Sequence, residues 1–305
     1  MNVAELFVQC LEKEGVTKIF GVPGEENEDI LFAIADSKKI EFIPCRHEQG
    51  AAFIANVWGR LSGKAGVCLA TLGPGATNLI TGIADANLDK SPVVVITAQG
   101  DLSRLHHESH QLLDIVSMFK PITKWNVAVK DSEVVPEVIR KAFKIAQLEK
   151  PGATHIELSE DIAKEEVAAL LKPLNQGFVR RPAPEKESIE KVVTLLQNAK
   201  RPLILAGNGA IRARVNKVLS QFVQKTNLPL VATFMGKGAI SDQLPQSLLA
   251  MGLGFKDYVM QAVEKADCVF TIGYDIAEYS PEEWNPKADK KIIHLDFEAA
   301  EVYQH

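Results

Sequence analysis

Short apolar runs alternate with amphipathic stretches along this chain in the rhythm of strand and helix. Leu6, Phe7, Cys10 and Leu11 recur at helical spacing, and Gly15 ends that helix before an apolar strand at 17–20. Gly21-Val22-Pro23-Gly24 follows as a turn, because proline fixes one backbone angle and glycine tolerates positive φ. Glu25, Glu26, Glu28 and Asp29 open a helix carrying Ile30, Leu31 and Ile34; carboxylates in a first turn suit the helix dipole better than a metal. Phe42-Ile43-Pro44 forms a strand, Arg46 to Gly50 a polar knot, and Ala51, Ala52, Ile54, Ala55 and Trp58 a helix. A strand at 66–70 then leads into Gly73-Pro74-Gly75-Ala76-Thr77-Asn78 at the mouth of another helix, and an apolar strand at 92–97 closes this central unit. A strand at 124–129, a long helix at 132–148 and a strand at 153–158 complete the pattern.

Strand and helix alternating with short links predict a parallel sheet, and ligands of open parallel sheets bind beyond the carboxyl ends of the strands. Glu48 and the 73–78 loop both fall at such ends, so one acidic side chain and one glycine-rich helix start share a rim. From Glu160 to Ser188 the pattern lapses, with Pro173, Pro182 and Pro184 beside Arg180-Arg181, as in a linker. A second parallel pattern follows, with strands at 202–207, 228–233, 268–273 and 292–296 and a helix through Val215, Leu219 and Phe222. The fold class is therefore α/β, with two doubly wound parallel-sheet domains: 1–163, a linker at 164–187, and 188–305. The second lacks the further helix and strand such a domain normally has, so the chain reads as a piece of a longer polypeptide.

At 305 residues the chain exceeds the roughly 100–200 residues of one ordinary domain, which agrees with two. A net charge of −5, without a basic block, argues against nucleic acid. The longest apolar run, around 92–98, falls far short of the ~20 residues a membrane span needs. Cys10, Cys45, Cys68 and Cys268 stand far apart in apolar contexts and read as buried free thiols of a reducing, cytoplasmic compartment.

Three features invite chemistry and carry bland readings beside it. The segment 101–114 holds His106, His107, Glu108, His110 and Gln111, but these spacings match no zinc pattern, and a surface loop covering a pocket is the better reading. Gly207-Asn208-Gly209 ends its strand as a dinucleotide turn would, which keeps a non-enzymatic nucleotide-binding Rossmann module in play. Arg212 stands where GxGxxG has its third glycine, so that signal is weak. Glu48 alone could be an ordinary first-turn glutamate.

Taken in order, Phe20-Gly21-Val22-Pro23-Gly24, Arg46-His47-Glu48-Gln49-Gly50-Ala51-Ala52 and Ala70-Thr71-Leu72-Gly73-Pro74-Gly75-Ala76-Thr77-Asn78 resemble the pyrimidine-binding domain of thiamine-diphosphate enzymes. Among these the likeness is closest to the large, catalytic subunits of the acetolactate synthase family, and it extends over essentially the whole chain. The stretch 273–279 and Ser109-His110-Gln111 with Val116 to Phe119 are similar to its FAD-independent, catabolic branch.

The resemblance implies thiamine diphosphate and Mg²⁺ as cofactors, without FAD. It implies pyruvate as substrate, decarboxylated and joined to a second pyruvate to give 2-acetolactate and CO₂. Related activities are another 2-oxo-acid decarboxylase, a different carboligase or a pyruvate oxidase. A homodimer or homotetramer follows, since the family's cofactor lies at a subunit seam. Glu48 takes the role of the carboxyl that hydrogen-bonds the aminopyrimidine, a role best filled from a dry pocket. Val22, Pro23 and Gly24 take that of the loop approaching that ring, and Thr71, Pro74 and Asn78 line the same pocket. Gln111 corresponds to a glutamine near the substrate. Two departures stand out: Glu25 occupies a place where many members have glycine, and no Gly-Asp-Gly with a downstream asparagine occurs in these residues. The chain itself is thus expected to supply no metal ligand, the Mg²⁺ and diphosphate site being placed by the resemblance in a further domain.

Overall fold

The computed structural model describes residues 1–168, 170–177, 182–251 and 258–300, and divides into two compact units, Met1–Arg180 and Arg181–His305. Ala169 and 178–181, in the stretch expected as linker, lie outside the described residues, as do 252–257 and 301–305.

In the first unit the helices are α1 (Val3–Lys13), α2 (Glu28–Asp36), α3 (Glu48–Ser62), α4 (Gly73–Asn78), α5 (Ile80–Leu88), α6 (Ile115–Phe119), α7 (Val135–Gln147) and α8 (Glu160–Lys164). Its strands are β1 (Lys18–Gly21), β2 (Glu41–Pro44), β3 (Gly66–Ala70), β4 (Val93–Gln99), β5 (Trp125–Val129) and β6 (Ala153–Ser159). They form one parallel sheet in the order β2-β1-β3-β4-β6-β5. Strands β3, β4 and β6 are buried along their whole length, with helices covering both faces; β3 and the start of β4 are continuous apolar runs, whereas β6 buries Thr154, His155, Glu157 and Ser159 among its apolar residues. One core, around Phe7, Leu11, Ile96 and Phe143, lies on one face; the other, around Leu72, Leu79, Ile83 and Phe119, lies on the opposite face.

The order reverses between β1 and β3: β2 lies on one side of β1, and the later strands run away on the other. The crevice beyond the carboxyl ends of these strands is where the sheet can admit a ligand.

The second unit contains α9 (Lys186–Asn198), β7 (Pro202–Ala206), α10 (Asn208–Arg212), α11 (Asn216–Thr226), β8 (Leu230–Ala232), β9 (Ser247–Ala250), α12 (Tyr258–Lys265), β10 (Cys268–Ile272), α13 (Pro281–Trp284) and β11 (Lys291–Leu295). Its sheet is also parallel, in the order β11-β10-β7-β8-β9. Two doubly wound α/β domains are thus what the periodicity predicts and what the chain forms.

The sequence reading has no strand at Ser247–Ala250 (β9), and further details differ from it. The glycine-rich loop is itself a short helix, α4, which breaks at Leu79 before α5 begins. Helix α9 begins inside the stretch read as linker, at its last two residues; its Ile189, Val192, Val193 and Leu196 recur at helical spacing, and Val192 and Leu196 pack against the core of the second unit. Cys10, Cys68 and Cys268 are buried free thiols, whereas Cys45, at the end of an outer strand, is only half-buried.

Candidate active site at the strand-order reversal

Helix α3 starts at Glu48 because His47 caps it: the ring Nδ1 accepts the backbone N–H of Gln49 at 3.1 Å. The face of α3 turned inward is made of Ala51, Ala52, Ala55 and Gly59. Such small residues let the helix lie close against the sheet, which carries Glu48 in over the strand ends. Its side chain is buried, with 8% of the residue exposed.

Across the crevice stands α4. Gly73 has φ +55°, and a Cβ there would meet the Gln111 carbonyl oxygen at 2.5 Å, so both backbone angle and space demand glycine. Further along α4, Asn78 Nδ2 donates to Glu48 Oε2 at 3.0 Å. Glu48 Oε1 accepts no hydrogen bond among the described residues and lies 3.5 Å from where a Cβ on Gly75 would stand. That Cβ would also meet Thr71 Cγ2 at 2.8 Å, so Gly75 keeps open a cradle between carboxylate and threonine.

The turn after β1 closes the other side. A Cβ on Gly24 would fall 2.4 Å from Thr71 Cβ, so this turn rests directly on Thr71. Asn27 Oδ1 accepts the Gly24 N–H at 3.0 Å, and Thr71 Oγ1 donates to Glu26 Oε2 at 2.7 Å. Glu26 and Asn27 therefore brace the site, a role that the reading of the acidic run as helix-start residues did not foresee.

The structure brings Gly24, Glu48, Thr71 and Asn78 together around Gly75. Val22 sits at the same strand end, its N–H directed to Leu69 O at 3.4 Å, while Pro23 and Pro74 are exposed at the rim. Gln111 joins through its backbone, packed on Gly73, and is itself exposed with φ 58°.

Along the same rim, at the ends of β4 and β6, lies a cavity of about 320 Å³ lined by Gln99, His107, Asp114 and Glu157 together with Leu105, Leu112, Leu113 and Ile115. The histidine-rich segment does line a pocket, and no group of three metal-binding side chains occurs among the described residues. Burial pushes the Glu157 carboxyl up to about 7, with the Gln99 hydrogen bond opposing it.

In the second unit, Gly207 to Gly209 lie against Gly273: a Cβ on Gly207 would meet the Gly273 carbonyl oxygen at 2.5 Å. The Asn208 N–H, which a phosphate would take in a dinucleotide fold, is directed at the buried Glu278 carboxylate at 2.9 and 3.2 Å, and Thr233 Oγ1 also donates to that group. The Glu278 carboxyl therefore takes up the Asn208 N–H, and burial holds its pKa above the usual carboxylate range.

Two family descriptions match the chain: "Thiamine pyrophosphate enzyme, N-terminal TPP binding domain" over residues 1–118 and "Thiamine pyrophosphate enzyme, central domain" over 189–305. The chain belongs to the thiamine pyrophosphate enzymes. Its first unit carries the family's N-terminal domain, and its second the central domain. Among similar proteins are the "Acetolactate synthase" of Bacillus subtilis (38% identical over 306 residues, 98% of this chain and 52% of that protein) and the "Probable acetolactate synthase large subunit" of Methanocaldococcus jannaschii (36% over 315 residues, 99% and 52%). The "Acetolactate synthase isozyme 1 large subunit" of Escherichia coli is 35% identical over 302 residues, 98% of this chain and 53% of that protein. The chain thus spans about half the length of these relatives.

Proposed function

We propose that the full-length protein is an acetolactate synthase, converting two pyruvate molecules to 2-acetolactate and CO₂ with thiamine diphosphate. The observation that carries this reading is the buried Glu48 carboxylate at the strand-order reversal, with one oxygen held by Asn78 and the other open beside Gly75. The names of the relatives support the choice of reaction.

Bound in this crevice, thiamine diphosphate supplies the electron sink for decarboxylation and carboligation. Glu48 holds a proton at the pyrimidine ring nitrogen, and its seclusion from water strengthens that hydrogen bond. Asn78 fixes the carboxylate's orientation, Thr71 and the 22–24 turn set the width of the slot, and Gly75 leaves it open. Gln111 faces the substrate side from the loop packed on Gly73. Mg²⁺ and the diphosphate belong, in this reading, to a further domain of the full-length chain.

A subunit seam is supported by Phe53, Ile54, Val57 and Leu61, an exposed apolar stripe on the helix that begins at Glu48. We read the assembly as a homodimer or a dimer of such dimers. The free thiols suit a cytoplasmic enzyme. The Glu278 carboxylate at Asn208 disfavours the nucleotide-module reading and a flavin diphosphate at that turn.

The test is Glu48→Gln in the full-length protein, assayed with pyruvate, thiamine diphosphate and Mg²⁺. Acetolactate formation is expected to collapse while the fold persists; unchanged turnover removes the assignment. Acetolactate, rather than acetaldehyde or acetate, as the wild-type product separates a synthase from a decarboxylase or an oxidase.

A further inference from the structure

The loop that presents Gln111 is pinned at both ends by groups that none of the motifs contains. At its start, Glu160 Oε1 accepts the Asp101 N–H at 3.3 Å and Arg104 NH1 at 3.2 Å, and Asp161 Oδ2 accepts the Leu102 N–H at 3.3 Å. Toward its far end, a buried side-chain amide holds the Leu113 carbonyl. Gln99, 2% exposed at the end of β4, uses Oε1 to accept the Gly100 N–H at 3.1 Å, which settles which way the amide points. Its Nε2 then donates to Leu113 O at 3.0 Å and to Glu157 Oε2 at 3.2 Å. Leu113 is two residues from Gln111, whose backbone packs on Gly73 at the mouth of α4.

We propose that Glu157 is a positioning residue: through Gln99 it holds the 105–114 loop, and with it Gln111, against the start of α4. An amide has two donor hydrogens. With both acceptors present each hydrogen has a fixed target, and neither leaves a buried donor unpaired. Removing the carboxylate frees the Gln99 amide to turn away from Leu113.

The cavity of about 320 Å³ opens onto the Glu157 carboxyl, giving its proton a route to solvent. The other titratable or charged groups around it are Asp114 and His107 from the loop, Lys130 beyond β5, and His155 two residues back on its own strand. Buried His155 has its pKa driven down to about 3 and stays neutral, bonded to Thr97 Oγ1 at 2.8 Å and stacked on Phe119. The Gln99 bond to an ionised Glu157 is charge-assisted and stronger than the bond to the acid.

The role of Gln111 rests on the proposed function, but the tether does not, and amide hydrogen exchange on the full-length protein separates them. In Glu157→Leu, exchange at the bonded amides His107, Leu112 and Ile115 is expected to rise on the order of tenfold, the effect of losing one charge-assisted bond, with the two sheets unaffected. Glu157→Gln, which keeps an acceptor for the Gln99 amide, should restore most of the protection. Unchanged exchange at 105–115, or a uniform rise across the chain, would overturn the tether. A local rise with unaltered pyruvate KM and kcat would leave the tether standing and refute only the role of Gln111.

Discussion

Asn78 Nδ2 donates to Glu48 Oε2 at 3.0 Å, joining two helices that start from different strands at the point where the sheet changes direction. Removal of that donor leaves a buried carboxylate oxygen unsatisfied. Asn78→Leu is therefore expected to lower stability by about 1–3 kcal/mol in denaturant titration and to cut acetolactate turnover in the full-length protein. Equal turnover in variant and wild type would show that Glu48 needs no such orientation.

Gly75 tests the cradle. A Cβ there would press on Thr71 Cγ2 at 2.8 Å and stand 3.5 Å from Glu48 Oε1. Gly75→Val is expected to cost about 1–3 kcal/mol through overpacking and, more tellingly, to weaken thiamine diphosphate affinity measured by calorimetry on the full-length protein. Unaltered affinity would place the cofactor elsewhere.

Glu157 makes stability depend on pH in a defined direction. Its folded carboxyl titrates at about 7, against an ordinary value of 4.5, so the folded state binds the proton more tightly than the unfolded chain. That contribution is complete below 4.5 and is lost as pH rises through about 7, by on the order of 3 kcal/mol in all. Thermal melts of Glu157→Gln should show a smaller fall between pH 5 and 8 than those of the wild type, by roughly that amount. Superimposable pH profiles would contradict the assignment.

Arg140 and Glu14 clamp α7 to α1, with Arg140 NH1 at 2.6 and 2.5 Å from the two carboxylate oxygens. Desolvation raises the Glu14 pKa even though Arg140 pulls it down, the mark of a charge taken out of water. Arg140→Leu strands that charge and is expected to destabilise the protein by about 3–5 kcal/mol in chemical denaturation. Glu14→Gln in the same background should recover part of the loss.

The apolar stripe on α3 bears on assembly. Placing a charge at Val57 or Leu61, both exposed in the isolated chain, is expected to split the proposed dimer of the full-length protein in sedimentation velocity. A variant Val57→Glu that sediments as the wild type does would put the seam elsewhere.

Periodicity along the chain determined that both halves are parallel-sheet α/β domains, because continuous apolar strands separated by helices have no other way to bury both faces. Three motifs in order at 20–24, 46–52 and 70–78 determined the family and singled out Glu48, since each needs only its own neighbours to be recognised. What lay beyond reach were relations set by the order β2-β1-β3-β4-β6-β5, which local patterning does not encode. Thr71 meets Glu26 and Asn78 meets Glu48 only because β1, β2 and β3 end side by side. Nothing in the local pattern marks Gln99, just past the strand read at 92–97, or Glu157, within the strand at 153–158, yet the pairing of β4 with β6 lets Glu157 accept a hydrogen bond from Gln99. Glu278 reaches back to Asn208, seventy residues earlier, for the same reason: a carboxyl group meets the N–H of a helix start so far away in sequence only when neighbouring strands bring both to one edge.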